Sequence, residues 1–122
     1  MVERRKDPRV LCADMVDIRW KDAAGRQHRA TALLEDIAAH GACLQVERAL
    51  PLETEIIIDH PKAQMRGAVR YCAYRDIGYF LGLQFTPDSE WSKHKFTPQH
   101  MLDLEDLVMR SLKKASKRKP LN

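Results

Sequence analysis

Residues 34–46 read LEDIAAHGACLQV: an acid, Asp36, stands near the end of one apolar run, and Gly41 opens the next. The pattern predicts strand, turn, strand. Ala32, Leu34 and Ile37 would face inward on a strand over residues 30–37, and Leu44 and Val46 on its successor. The small-residue turn with His40 and Gly41 would join them.

The same grammar repeats on both sides. Upstream, Val16, Ile18 and Trp20 alternate as in a half-buried strand, and residues 21–26, with Gly25, form a hairpin-like turn. Downstream, Leu50 and Pro51 break the pattern before the β-branched run Ile56, Ile57 and Ile58, and Pro61 turns the chain again. Residues 64–72 and 78–85 complete the set, the latter alternating Tyr79, Leu81, Leu83 and Phe85. Six short strands without helices between them predict a mainly β fold, an antiparallel barrel or sandwich. A helix is expected over residues 97–114. Thr97 would cap it, Pro98 would take its first position, and Met101, Leu104, Leu107, Val108 and Leu112 would form one apolar stripe packed on the barrel.

Composition narrows the function classes. At 122 residues, 44% hydrophobic and 31% charged, the chain suits one domain with a single core, over residues 1–115. No apolar run approaches the roughly 20 residues of a membrane span, and the charged N-terminus is unlike a signal peptide, so a cytoplasmic location is expected. Cys12, Cys43 and Cys72 are odd in number and widely spaced, which fits reduced thiols rather than disulfides or a metal site. The net charge of +4 sits at the ends: residues 113–119 hold five basic residues and no acid, the first ten residues are net positive, and the middle is net negative. That distribution disfavours a nucleic-acid surface, and Trp20, Tyr71 and Tyr79 read as core or edge packing rather than a stacking platform. Residues 116–122 read as a basic, disordered tail. No nucleophile elbow, metal-ligand spacing or phosphate-cradling glycine loop appears, so no enzyme and no metal are expected; His40, Cys43 and Cys72 read as structural.

The remaining signals are polar. Residues 3–9, ERRKDPR, crowd arginines ahead of any apolar pattern. Such a cluster is ordinarily a solvated arm, yet guanidinium groups fork onto phosphate oxygens and stack on purine rings. Asp36 alone would satisfy nearby backbone amides at a strand end, and Gly41 alone would be a turn glycine needing positive φ.

Taken together, these residues resemble the PilZ domain family, whose signature is RxxxR followed downstream by [D/N]xSxxG. Arg5-Lys6-Asp7-Pro8-Arg9 matches the first motif and Asp36-Ile37-Ala38-Ala39-His40-Gly41 the second. The resemblance spans residues 4–85, through VDIRW, LEDI, GACLQV, GAVRY and LGLQF. It implies a six-stranded antiparallel β-barrel over residues 11–86 with a C-terminal helix, and a flexible arm over residues 1–10. It also implies a ligand, cyclic di-GMP. Arg5 and Arg9 would clamp it with Arg4 as helper, Asp36 would face a guanine edge, and Gly41 would allow close approach. A protein partner would read the bound state. One position departs from the signature: Ala38 stands where the family has serine. The missing hydroxyl would weaken binding by roughly 0.5–1.5 kcal/mol, or up to ~3 kcal/mol if a ligand group is left buried and unpaired. Ala38 is also the sign that favours the alternative, a barrel that has lost the nucleotide and acts as a protein adaptor.

Overall fold

The computed structural model describes residues 9–99 and the backbone of residues 102–103. Six strands form in sequence: β1 (Val10–Lys21), β2 (Gln27–Ala38), β3 (Gly41–Val46), β4 (Glu55–His60), β5 (Ala63–Arg75) and β6 (Gly78–Phe85). Neighbours run in the order β2-β3-β6-β5-β4-β1, and β1 pairs back onto β2, closing an antiparallel six-stranded barrel. Closure leaves the alternating apolar residues one place to go. Ile18, Leu34, Leu44, Ile56, Ile58 and Leu81 are completely buried in the interior. The strands predicted from sequence are all present, and β1, β2 and β5 run longer than expected at 12, 12 and 13 residues.

Alternation is interrupted at defined places. The β2–β3 register shifts between Leu34 and Asp36, which explains why inward-facing Leu34 and Ile37 are three residues apart. The β5–β6 register shifts between Val69 and Tyr71. Each is a β-bulge: one strand carries an extra residue, and the side chains around it are re-aimed.

The segment after β6 folds back over the barrel end that holds the β2–β3 and β4–β5 turns. It contains one 3₁₀ turn, Pro87–Ser89, and two buried aromatics, Trp91 and Phe96. The Trp91 backbone N–H donates to the Ala39 carbonyl at 2.9 Å, and its indole N–H donates to the Phe96 carbonyl at 3.2 Å. His60, at the end of β4, stacks on Phe96 with ring centroids 3.9 Å apart.

This arrangement corrects the expected helix start. Thr97, Pro98 and Gln99 are not helical, and Leu102–Asp103 forms a two-residue strand, β7, antiparallel to Val10 and Leu11. The reason lies in β1. Its pairing with β4 covers only Asp17 to Trp20, so backbone groups at its start are open to another strand, and β7 takes them. The remainder of the expected helix, residues 100–101 and 104–114, lies outside the described residues, as do the expected tail, residues 116–122, and Arg4 and Arg5.

Gly41 also differs from expectation. The glycines with positive φ are Gly25 and Gly78; Gly41 is not among them. What Gly41 requires is space, because a Cβ there would lie 2.4 Å from the Leu83 backbone carbonyl oxygen on β6. Gly41→Ala is therefore expected to lower unfolding stability by about 1–3 kcal/mol, read as a shifted midpoint in urea denaturation. An unchanged midpoint would show that β3 and β6 can part there without cost.

Candidate functional site

The outward face of four neighbouring strands carries the polar signals. Asp36 on β2 pairs with Cys43 on β3, Cys43 with Gly82 on β6, and Gly82 with Tyr71 on β5. These four residues form one cross-strand row on the outside of the barrel. Three inter-strand gaps separate its ends, so the row is roughly 14 Å wide. A parallel row beside it runs Ala38, Gly41, Gln84 and Ala68. Bulges sit at both ends of the first row, one ahead of Asp36 and one ahead of Tyr71. Bulges commonly occur where a side chain must be re-aimed at a site.

Arg9 enters from the start of β1. Val10 pairs with Ile37 and Leu11 with Asp36, which brings the Arg9 guanidinium to the Asp36 carboxylate, Nη1 to Oδ2, at 3.7 Å. The Asp36 side chain is only 16% exposed. Burial pushes its carboxyl above the ordinary value, while Arg9 and a hydrogen bond from the Cys43 backbone pull the other way without cancelling the effect. The result is a half-buried carboxylate whose main cationic partner comes from the arm.

At the other end, Tyr71 lies against the sheet. A Cβ on Gly82 would stand 1.9 Å from Tyr71 Cε2, so the absence of a side chain at Gly82 is what lets the ring settle there. The Tyr71 hydroxyl donates to Cys43 Sγ at 3.7 Å, fixing the ring across β6 toward β3. Burial, then the Cys43 contact, pushes the phenol up to about 12, and burial also raises the Cys43 thiol. Both groups are therefore neutral near pH 7, and the thiol serves as packing under the ring rather than as a nucleophile. Tyr71 remains 47% exposed. An aromatic ring held from below and open above is a surface on which a planar base can stack.

The aromatics grouped as packing residues thus separate. Trp20 is core, Tyr79 packs against the core, and Tyr71 is a surface plate. Sequence reasoning missed Tyr71, Gly82 and Cys43 as site residues because only register brings them into line. One signal was available: the apolar phase slips between Val69 and the partly buried Cys72. His40 turns away toward the covering segment, with Nδ1 3.2 Å from Glu90 Oε1. Ala38 lies beside Gly41 in the second row, half-buried, with no polar atom to offer.

Elsewhere the surface offers less. A cleft of about 460 Å³ toward the opposite end is lined by Trp20, His28, Arg48 and Leu50, with Lys21 and Arg48 set against Asp22, Glu53 and Glu55. Its mixed charges define no ligand. Among the described residues no group of His, Cys, Asp or Glu could hold a metal, and no helix is long and apolar enough to cross a membrane.

Comparison with known proteins identifies the family and the fold. The family model of the PilZ domain matches residues 3–97. No curated protein matches the chain. The PilZ domain of YcgR from Escherichia coli, in a structure with cyclic di-GMP, is 16% identical with a TM-score of 0.57, over 95% of this chain and 100% of that one. The K. pneumonia MrkH–cyclic di-GMP complex is 16% identical with a TM-score of 0.55, over 98% of this chain and 57% of that one. MotI/DgrA, the inhibitor of motility of Bacillus subtilis, is 14% identical with a TM-score of 0.51, over 97% of this chain and 55% of that one. The chain thus spans just over half the length of the last two proteins, and at these identities the likeness is one of fold. The matched region contains both the arginine arm and the β2–β3 turn, and the closed barrel is the architecture those structures share: the chain belongs to the PilZ domain family.

Proposed function

We propose that this chain is a cyclic di-GMP receptor that relays binding to a protein partner. The observation that carries this reading is the Arg9–Asp36 pair at 3.7 Å, at one end of the row that ends in Tyr71. Each part suits a piece of the ligand. A guanine edge presents N–H donors that match the two oxygens of a carboxylate, and phosphate oxygens accept from a guanidinium fork. The open ring of Tyr71 suits a purine face. Structures of YcgR and MrkH, which share the fold, contain cyclic di-GMP, which supports the same ligand here. Arg5 and Arg9 act as the clamp with Arg4 as helper, and Gly41 keeps the second row flat beneath the ligand. The role is recognition, not catalysis. Closure of the arm over the row would create the surface that a partner reads. Ala38 favours the rival reading, a nucleotide-free adaptor.

Titration calorimetry of cyclic di-GMP into the protein separates the two. Saturable binding that Arg9→Ala weakens roughly ten- to hundredfold supports the receptor, since a hydrogen bond to a charged group contributes about 1.5–3 kcal/mol. Absence of heat at high ligand, with no thermal stabilisation, would establish the adaptor instead.

A pH dependence follows from Asp36. Its carboxyl is raised in the folded state, so the fold holds that proton more tightly than the unfolded chain does. Stability from this group is therefore greatest at acidic pH and declines as pH rises through the raised value. Ligand affinity should run the opposite way, falling on acidification as the carboxylate is lost. Asp36→Asn is expected to be more stable than the parent at pH 7, by thermal unfolding, yet to bind more weakly and with less pH dependence below neutrality. A variant both less stable and equally tight would refute the assignment.

Tyr71→Ala should weaken binding by roughly 1–3 kcal/mol if a base stacks on the ring, while Tyr71→Phe, which keeps the ring, should stay close to the parent. Equal loss in both variants would assign the effect to the hydroxyl instead.

A further inference from the structure

The second row ends beside an arginine that neither signature motif contains. The β5 bulge sets Arg70 on the outward face next to Tyr71. Its Nε donates to Gln84 Oε1 at 2.7 Å, and its Nη1 donates to Glu53 Oε1 at 2.6 Å. These bonds use two of the five N–H donors of a guanidinium and fix its plane. Gln84 on β6 pairs with Gly41 on β3, in the same row as Ala38. With its Oε1 accepting from Arg70, its amide nitrogen is turned away from that bond and is available as a donor over the row.

Glu53 supplies an independent observation. It has φ 70°, in the left-handed region that residues with a Cβ rarely occupy. The conformation is held by its backbone N–H donating to the Val69 carbonyl at 2.8 Å, one residue before Arg70. Backbone strain of this kind persists where the surroundings fix it and is common at ligand sites. Here its effect is to present a carboxylate to Arg70.

We infer that Arg70, oriented by Glu53 and Gln84, is a phosphate-binding residue of this face, and that the Gln84 amide supplies a hydrogen bond in place of the serine hydroxyl that Ala38 lacks. The inference rests on the cyclic di-GMP reading and extends it from the arm to the opposite edge of the site. The ligand would be held from both sides, by Arg9 at one edge and by Arg70 at the other.

Calorimetry with cyclic di-GMP on the parent, Arg9→Ala, Arg70→Gln and Gln84→Ala tests this, with thermal unfolding alongside. Arg70→Gln should weaken binding roughly tenfold or more and Gln84→Ala roughly three- to tenfold, both with unfolding midpoints near that of the parent because the side chains are exposed. Arg70→Gln should also make affinity less dependent on salt, a change that a merely structural role would not produce. If Arg9→Ala abolishes binding while Arg70→Gln and Gln84→Ala bind like the parent, the inference is wrong and the receptor reading stands. If the parent does not bind, both fall together. Should Arg70→Gln unfold, Gln84→Ala decides: parent-like affinity in that variant overturns the proposed replacement of the serine.

Discussion

The pairing of β1 with β2 is the interaction on which the rest depends. It runs from Val10 opposite Ile37 to Lys21 opposite Gln27, and it converts an open sheet into a closed barrel. The same ladder delivers Arg9 to Asp36, because the residues paired at its end follow one and flank the other. Closing the barrel and assembling the polar end of the site are therefore one event. Closure also removes the free edges through which a long antiparallel sheet would otherwise pair with other chains.

Two departures from regular pairing shape the outer face of this barrel. A perfectly alternating strand presents every second side chain outward at even spacing. The extra residues near Asp36 and Tyr71 break that spacing and bring both side chains into one row. Between them the sheet is kept low by absent or small side chains. Gly41 avoids the Leu83 carbonyl and Gly82 admits the Tyr71 ring, so the floor is defined by what those positions lack. Neither glycine is present for unusual backbone torsion.

The candidate site is held at some cost to the fold. Asp36 is a carboxylate that burial disfavours, only partly compensated by Arg9 and the Cys43 amide. Glu53 sits in a sparsely populated backbone conformation while gripping Arg70. A chain optimised for stability alone would have neither feature. Both lie outside the core, whereas the interior is filled by buried aliphatic and aromatic side chains with no buried charge among them.

Apolar alternation alone determined the number of strands, their order along the chain and the class of the fold, because burying one face of a strand requires a period of two. The two short motifs, in their order along the chain, gave the resemblance to the family that the family model bears out. The expected helix over residues 97–114 illustrates the limit of local signals. Thr97 and Pro98 have good cap chemistry, but the start of β1, beyond its pairing with β4, offered residues 102–103 an open edge, and a non-local contact prevailed over local preference. Tyr71, Gly82, Cys43, Gln84 and Arg70 were invisible as a group, being separated by up to 41 positions from Cys43 to Gln84. Only the register of β3 against β6, and of β6 against β5, sets them side by side. The sequence by itself specified the strands and the apolar residues that fill the barrel, because their period is two. Tertiary pairing, with its bulges, decided which of the other side chains point outward and meet.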